Sequence, residues 1–198
     1  MGGAAGAAVR WGSVRLAATE ELDSPNSAVG TLGPPVLSAI LFAAFAARPW
    51  IDLTTMVLQG VFVLVLVQVI FFDLEHGLIL DRVMLPAALF ALAVSVLRQP
   101  WWAGTAAGLV AAGALLLLGG VGSLLARRDA LGLGDVKLAA VIGLMLGPER
   151  TAEAMVTGFI GAGAAAIGIA AWHRSLGGQI ALGPYLAAGA LIALYPIP

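Results

Sequence analysis

The chain has 198 residues, of which 61% are hydrophobic and only 11% are charged, and its net charge at pH 7 is −1. Soluble domains carry about 25% charged residues, so this composition excludes an ordinary water-soluble domain. The chain contains no cysteine, which excludes a disulfide framework and a cysteine-ligated zinc site.

The first thirty residues hold no apolar stretch of signal-peptide length. We therefore predict that residues 1–33 form a cytoplasmic leader, polar or loosely structured. A short surface helix anchored by Arg10 and Arg15 is the alternative for the same stretch. Residues 34–198 are predicted to form one membrane-embedded domain, because their apolar residues fall into long uncharged blocks.

Seven apolar segments follow the leader, at 34–50, 54–72, 83–97, 101–126, 136–147, 151–172 and 180–195. A helix needs roughly 20 residues to cross about 30 Å of hydrocarbon, so the second, fourth and sixth are the clearest spans. The fifth reaches only about 18 Å; it continues across Pro148, tilts among its neighbours, or enters the membrane without crossing it. The sequence predicts an all-α fold, a polytopic transmembrane helical bundle of about six to seven membrane segments.

Arginine and lysine concentrate in short cytoplasmic loops of membrane proteins. If the N-terminus is cytoplasmic and all seven segments cross, three arginines, Arg48, Arg98 and Arg150, lie on the far side and the other seven basic residues on the cytoplasmic side. This imbalance favours a cytoplasmic N-terminus. It places the loops 73–82, 127–137 and 173–179 together on the cytoplasmic face.

Small residues recur at four-residue spacing, as Gly104 with Gly108 and Gly143 with Gly147. In lipid this spacing lets helix backbones approach closely, so we predict helix packing at both pairs. His76 and His173 lie far apart in the sequence without metal-ligand spacing. The sequence predicts no metal and no cofactor, and nucleic acid is not an expected partner.

Two aspartates lie at the ends of apolar segments. Asp73 directly follows "VIFF", and Asp135 directly precedes "VKLAAVIGLMLG". Ionisable residues at membrane depth are functional candidates by default. The structural alternative for Asp135 is a helix N-cap. For Asp73 the alternative is a solvated acid, although a carboxylate at a helix C-terminus faces the negative end of the helix dipole.

A pair of carboxylates can hydrolyse a peptide bond through water. One carboxylate, ionised, takes a proton from water, and the other, protonated, hydrogen-bonds the scissile carbonyl oxygen. The helix ends favour an ionised Asp135 and a protonated Asp73. Gly132 and Gly134 fit this chemistry, since backbone without side chains takes unusual dihedral angles and lets an extended substrate come close.

Three segments resemble those of the type IV prepilin peptidases, which are membrane aspartic proteases. "LGLGDVKLAAVIGLMLG" (131–147) resembles their GxGD segment, "FFDLEHGLILD" (71–81) resembles the segment of the other aspartate, and "IALGPYLAAGALIALY" (180–195) resembles their last helix. The resemblance implies that Asp73 and Asp135 are the catalytic pair and that Asp81 helps to shape the site. For Asp81 the alternative is an ordinary solvated acid of the loop. Lys137 is expected near the carboxylates, near an acidic side chain of the substrate, or extended toward lipid headgroups.

The resemblance also implies a substrate and a location. The substrate is the leader of a prepilin or pseudopilin, cut after a glycine at the cytoplasmic face of the bacterial inner membrane. The other expected partners are the lipid bilayer and a pilus or secretion machinery. The chain is similar to the short forms that lack the N-terminal cysteine-bearing portion, so no N-methyltransferase activity is expected.

The sequence departs from the family pattern at two places and leaves two alternatives open. Leu80 stands where many members have proline, and Ala181 with Leu182 stand where Pro-Phe is common. These departures bear on loop rigidity and substrate preference. The alternatives are a GxGD intramembrane protease with another substrate, and a non-catalytic membrane assembly factor or transporter that kept the fold.

Overall fold

The computed structural model describes residues 2–19, 28–47, 52–126, 131–173 and 181–195. Within these ranges the chain is entirely helical, with eight helices: α1 (Gly2–Thr19), α2 (Ala28–Ala46), α3 (Leu53–His76), α4 (Asp81–Leu97), α5 (Ala103–Ala126), α6 (Leu133–Leu146), α7 (Pro148–His173) and α8 (Gly183–Leu194). Residues 20–27 of the predicted leader, Arg48, and positions 127–130 and 174–179 of the predicted cytoplasmic loops lie outside the described residues.

Three helices are long and apolar enough to cross a membrane, over Leu53–His76, Ala103–Leu125 and Pro148–Trp172. They correspond to the second, fourth and sixth predicted segments. Shorter apolar helices cover Thr31–Phe45 and Gly183–Leu194. These helices confirm the prediction of an all-α, polytopic membrane fold.

The first of two compact units, Met1–Leu78, contains α1, α2 and α3. Helix α3 begins at the N-cap Asp52, whose carboxylate accepts a hydrogen bond from the Thr55 amide at 3.0 Å. It ends at Gly77, which has a left-handed φ of 64°. Both ends of this long helix are therefore fixed by local interactions, which sets the position of its last turn.

Part of the predicted leader is a regular helix. Helix α1 packs on α2 and α3, and Gly6 allows a close approach, because a Cβ atom at Gly6 would lie 2.5 Å from the Pro34 carbonyl oxygen. Helix α2 begins at Ala28, before the predicted boundary at residue 34. The division into a leader and a membrane domain stays a prediction, but residues 2–19 have a defined packing partner.

The second unit, Ile79–Pro198, is built around α6. This helix packs on α4, α5, α7 and α8. Half of its fourteen residues are buried: Val136, Leu138, Ala139, Val141, Ile142, Gly143 and Met145. The helix ends at Leu146 and α7 begins at Pro148, so the alternative in which the fifth segment continues across Pro148 is wrong.

The glycine spacings have different outcomes. Gly108 and Gly143 meet where α5 crosses α6, because a Cβ atom at Gly143 would overlap the Gly108 backbone. Gly104 lies as close to Ser95 and the Leu144 carbonyl, so packing is confirmed for these three. Gly147 does not pack: nothing lies within 4 Å of its Cβ position, and its φ of 76° ends α6. A left-handed φ, which favours glycine, explains this residue.

Candidate active site

Asp73 lies in the last turn of α3, three residues before the helix ends at His76. Its side chain is buried, with 5% exposure. The Gly77 amide donates a hydrogen bond to the Asp73 carbonyl oxygen at 2.8 Å, which closes the helix. The neighbouring Phe72 and His76 rings stack with their centroids 4.4 Å apart. The last turn is therefore compact, and it holds a carboxylate away from bulk water.

Asp135 lies in the first turn of α6, and the N-cap of this helix is Gly132. The Asp135 amide donates to the Gly132 carbonyl oxygen at 3.1 Å. The alternative in which Asp135 is the N-cap is wrong, because the helix begins at Leu133, two residues earlier. The placement still favours a negative charge, since the first turn carries the positive end of the helix dipole.

The two glycines of the "GLGD" stretch have different surroundings. A Cβ atom at Gly134 would lie 2.8 Å from the Ile79 Cβ atom, so Gly134 allows close contact between α6 and the segment before α4. A Cβ atom at Gly132 would meet Asp135 Oδ2 at an ordinary 3.5 Å. Gly132 has an ordinary extended backbone, with φ −74° and ψ 139°, so the predicted unusual dihedral angle is absent there.

Lys137 and Asp81 form an ion pair. Lys137 Nζ donates to Asp81 Oδ1 at 2.5 Å, and the two side chains are 47% and 68% exposed. Asp81 is the first residue of α4, after the N-cap Leu80. The structure thus joins two residues that the sequence predicts as parts of the site. Their direct pairing was not among the predictions, because the residues are 56 positions apart.

Two polar contacts in the first unit were not predicted from the sequence. Arg10 pairs with Glu75, and the Gln68 amide donates to the Ser13 hydroxyl. The sequence carries a signal for one of these contacts, that of Gln68, a polar residue inside the apolar run "FVLVLVQVIFF" (62–72). A polar group in such a run needs a hydrogen-bond partner.

The predicted site residues fall into both units. Asp73 belongs to the first unit, whereas Asp81, Gly132, Gly134, Asp135 and Lys137 belong to the second. The structure brings together Lys137 with Asp81, and Gly132 with Asp135. The pairing of Asp73 with Asp135 stays a prediction. In the part of the chain that the structure describes, no three His, Asp or Glu side chains are grouped to hold a metal ion.

Comparison with protein families identifies the central part of the chain. The model of the type IV leader peptidase family matches residues 60–171, which include both aspartates, Asp81 and Lys137 and make up more than half of the sequence. Comparisons with curated proteins and with solved structures gave no significant match. The length of the family match, together with the apolar helices, shows that this chain is a membrane protein of the type IV leader peptidase family and a peptidase.

Proposed function

We propose that this protein is an aspartic endopeptidase that removes the leader of type IV prepilins or pseudopilins at the cytoplasmic face of the bacterial inner membrane. The observation that carries the proposal is the placement of two acids inside the family-matched segment. Asp73 is buried in the last turn of α3, and Asp135 is half-buried in the first turn of α6. Each acid thus lies at the end of an apolar helix, where a membrane-inserted substrate meets water.

The helix ends give the two carboxyl groups different roles. The N-terminus of α6 stabilises an ionised Asp135, and the C-terminus of α3 disfavours a charge on Asp73. Burial of Asp73 acts in the same direction, because burial opposes the charged form of an acid. Asp135 is therefore assigned as the base and Asp73 as the acid, and a pair of this kind titrates as a unit.

The reaction transfers protons between the two acids and the substrate. Asp135 takes a proton from water, and the water oxygen bonds to the scissile carbonyl carbon while Asp73 gives its proton to the carbonyl oxygen. The product is a tetrahedral diol. The carbon–nitrogen bond then breaks as Asp135 returns its proton to the nitrogen and Asp73 recovers a proton from the diol. This releases a carboxylic acid and an amine, and it restores both side chains.

The residues around Asp135 support this assignment. The contact between Gly134 and Ile79 fixes the start of α6 against the segment that follows α3 in the chain. One turn further along α6, the ion pair of Lys137 with Asp81 links this helix to the first residue of α4. Asp81 and Lys137 thus shape the site and leave the chemistry to the two aspartates.

We propose that the product keeps an unmethylated amino terminus, because this sequence contains no cysteine, whereas the family members that also methylate carry paired cysteines. We infer that the other partners are the bilayer and a pilus or secretion machinery. Mass spectrometry of the processed pilin tests this, since methylation would increase the mass of the new amino-terminal peptide, and a methylated terminus would contradict the proposal.

Cleavage of a co-expressed prepilin by the wild type, Asp73→Asn and Asp135→Asn tests the proposal. Asparagine keeps the size of the side chain but cannot take or give the proton. We expect loss of cleavage in both variants at normal membrane abundance, measured by immunoblot. Glu153→Gln, an exposed acid of α7, is the matched control and should cleave normally. Cleavage that survives either aspartate change refutes the aspartic mechanism, and a wild type that leaves prepilins intact refutes the substrate assignment.

A further inference from the structure

Helix α1 is joined to α3 by two polar contacts. Arg10 Nη1 donates to Glu75 Oε2 at 3.1 Å, and these side chains are 14% and 8% exposed. Gln68 Nε2 donates to the Ser13 hydroxyl oxygen at 2.7 Å in a buried setting. We call these four residues the polar seam. Arg10 and Ser13 are one turn apart on α1, and Gln68 and Glu75 are two turns apart on α3, so each pair occupies one face of its helix.

Burying the polar seam carries a desolvation cost that apolar side chains at the same positions would avoid. Burying a charge or an amide is unfavourable unless it is paired, and well-packed apolar residues are often as stabilising as a buried ion pair. Hydrogen bonds add what apolar contacts lack, a defined partner atom at a defined position. The seam therefore sets the rotation and register of α1 against α3, as a buried polar residue sets register in a coiled coil.

The seam lies on both sides of Asp73 in the chain. Gln68 is five residues before Asp73, and Glu75 is two residues after it. On the same turn, Gly33 of α2 lies directly against the Phe71 ring. Helix ends fray when nothing holds them, and the last turn of α3 is held here by contacts from two other helices. The orientation of the Asp73 carboxyl group depends on that turn.

We propose that α1 is a positioning element for Asp73 and that Arg10 and Glu75 are positioning residues of the peptidase. The inference rests on the proposed catalytic role of Asp73 and deepens it. Helix α1 precedes the segment that matches the family, residues 60–171. Helix α1 thus lies outside the matched segment and supports Asp73 through its contacts with Gln68 and Glu75, which lie inside it.

The first test measures the position of Asp73 without relying on activity. The chain has no cysteine, so an introduced one is the only thiol. Asp73→Cys in membranes should react slowly with N-ethylmaleimide, and adding Arg10→Ala should raise the rate by about tenfold or more, since local opening exposes a buried side chain. Arg15→Ala is the control, because Arg15 lies over the exposed Trp11 ring on the same helix, 4.1 Å from its centroid. An unchanged rate in the Arg10→Ala background overturns the proposal.

The second test measures the docking of α1. Ser13→Cys with Gln68→Cys should form a disulfide on mild oxidation, because the two side chains are in contact. Ser13→Cys with Gln59→Cys is the comparison, since Gln59 lies two and a half turns earlier on α3. Failure of the first pair to cross-link, or equal cross-linking of both pairs, refutes the docking of α1 that the proposal requires.

The third test measures catalysis. Arg10→Ala and Glu75→Ala should lower kcat by up to about 100-fold, as expected for a misplaced catalytic group, with KM unchanged. The reversed pair Arg10→Glu with Glu75→Arg should recover most of the activity. A rise in KM at constant kcat, or no recovery in the reversed pair, contradicts a positioning role. A wild type that leaves prepilin intact refutes the proposed function, whereas the labelling rate still decides whether α1 positions Asp73.

Discussion

The ammonium group of Lys137 donates a hydrogen bond to the Asp81 carboxylate at 2.5 Å, linking the second turn of α6 to the first residue of α4. Both side chains are substantially exposed, at 47% and 68%. Exposed ion pairs contribute little to stability because water and salt screen them. The contact therefore contributes to the relative position of the N-terminal ends of α4 and α6 rather than to stability. Lys137 is two residues after Asp135 in the sequence.

We expect Asp81→Asn and Lys137→Gln to change the free energy of unfolding by less than about 1 kcal/mol. Prepilin cleavage should fall only partly in each variant, because neither residue transfers a proton in the proposed reaction. A double-mutant cycle on the cleavage rate measures their coupling, and the coupling should weaken at high salt. Complete loss of cleavage in Asp81→Asn, as in Asp135→Asn, would instead make Asp81 a catalytic acid.

Gly134 is expected to tolerate no side chain. A Cβ atom there would lie 2.8 Å from the Ile79 Cβ atom, so Gly134→Ala should cost about 1–3 kcal/mol through overpacking and should reduce cleavage by displacing Asp135. Gly132→Ala is the matched control for stability, because its new atom would meet Asp135 at an ordinary 3.5 Å. Thermal unfolding in detergent compares the two variants, and the cleavage rate is measured for Gly134→Ala. Equal stability of the two variants contradicts this packing role.

The sequence predicted the apolar helices, because the need to cross the membrane determines their length and composition. Each of the seven apolar segments corresponds to one helix, from α2 to α8, because hydrocarbon thickness and backbone hydrogen bonding leave few alternatives to a helix. The family segment and the positions of Asp73 and Asp135 at helix ends were also readable, since charges interrupt the apolar runs at those points.

The details that depend on tertiary contacts were not readable. Arg10 and Glu75 are 65 residues apart, and nothing local marks them as partners, so the sequence does not predict that α1 packs on α3. The preference of aspartate for the N-cap position makes Asp135 a candidate N-cap in the sequence. The helix instead begins earlier, at Leu133, with Gly132 as its N-cap. Helix α6 therefore begins earlier than it would with Asp135 as its N-cap, and Gly134 in its first turn packs on Ile79.

The crossing of α5 and α6 depends on Gly143. A Cβ atom at this position would overlap the Gly108 backbone, which cannot move aside as a side chain can. Gly143→Ala should therefore lower the free energy of unfolding by about 1–3 kcal/mol or more, despite the better helix propensity of alanine. Gly113→Ala on α5 is the control, since nothing lies within 4 Å of its Cβ position. If Gly143→Ala is as stable as Gly113→Ala, the close crossing is wrong.

The N-cap of α3 should give a pH-dependent contribution to stability. Hydrogen bonds from the Thr55 side chain and amide hold the pKa of Asp52 below its ordinary value of 3.8. The folded state thus favours the ionised form, so the stabilisation is present above pH 3.8 and is lost as the pH falls through the lowered pKa. Asp52→Ala should lower the Tm at neutral pH, and its difference from the wild type should shrink in acid. A difference independent of pH contradicts the charged cap.

Gly77 links the end of α3 to the position of Asp73. Its φ of 64° lies in the left-handed region, and its amide donates to the Asp73 carbonyl oxygen. Gly77→Ala should destabilise the protein by about 1–2 kcal/mol, the cost of that conformation for an L-residue, and Gly77→Asn should cost less because asparagine enters this region more readily. We expect cleavage to fall in the same order, because opening of the last turn moves the Asp73 carboxyl group. Thermal unfolding and prepilin cleavage of the two variants test this order. If alanine and asparagine are equally tolerated, the left-handed end of α3 does not control Asp73.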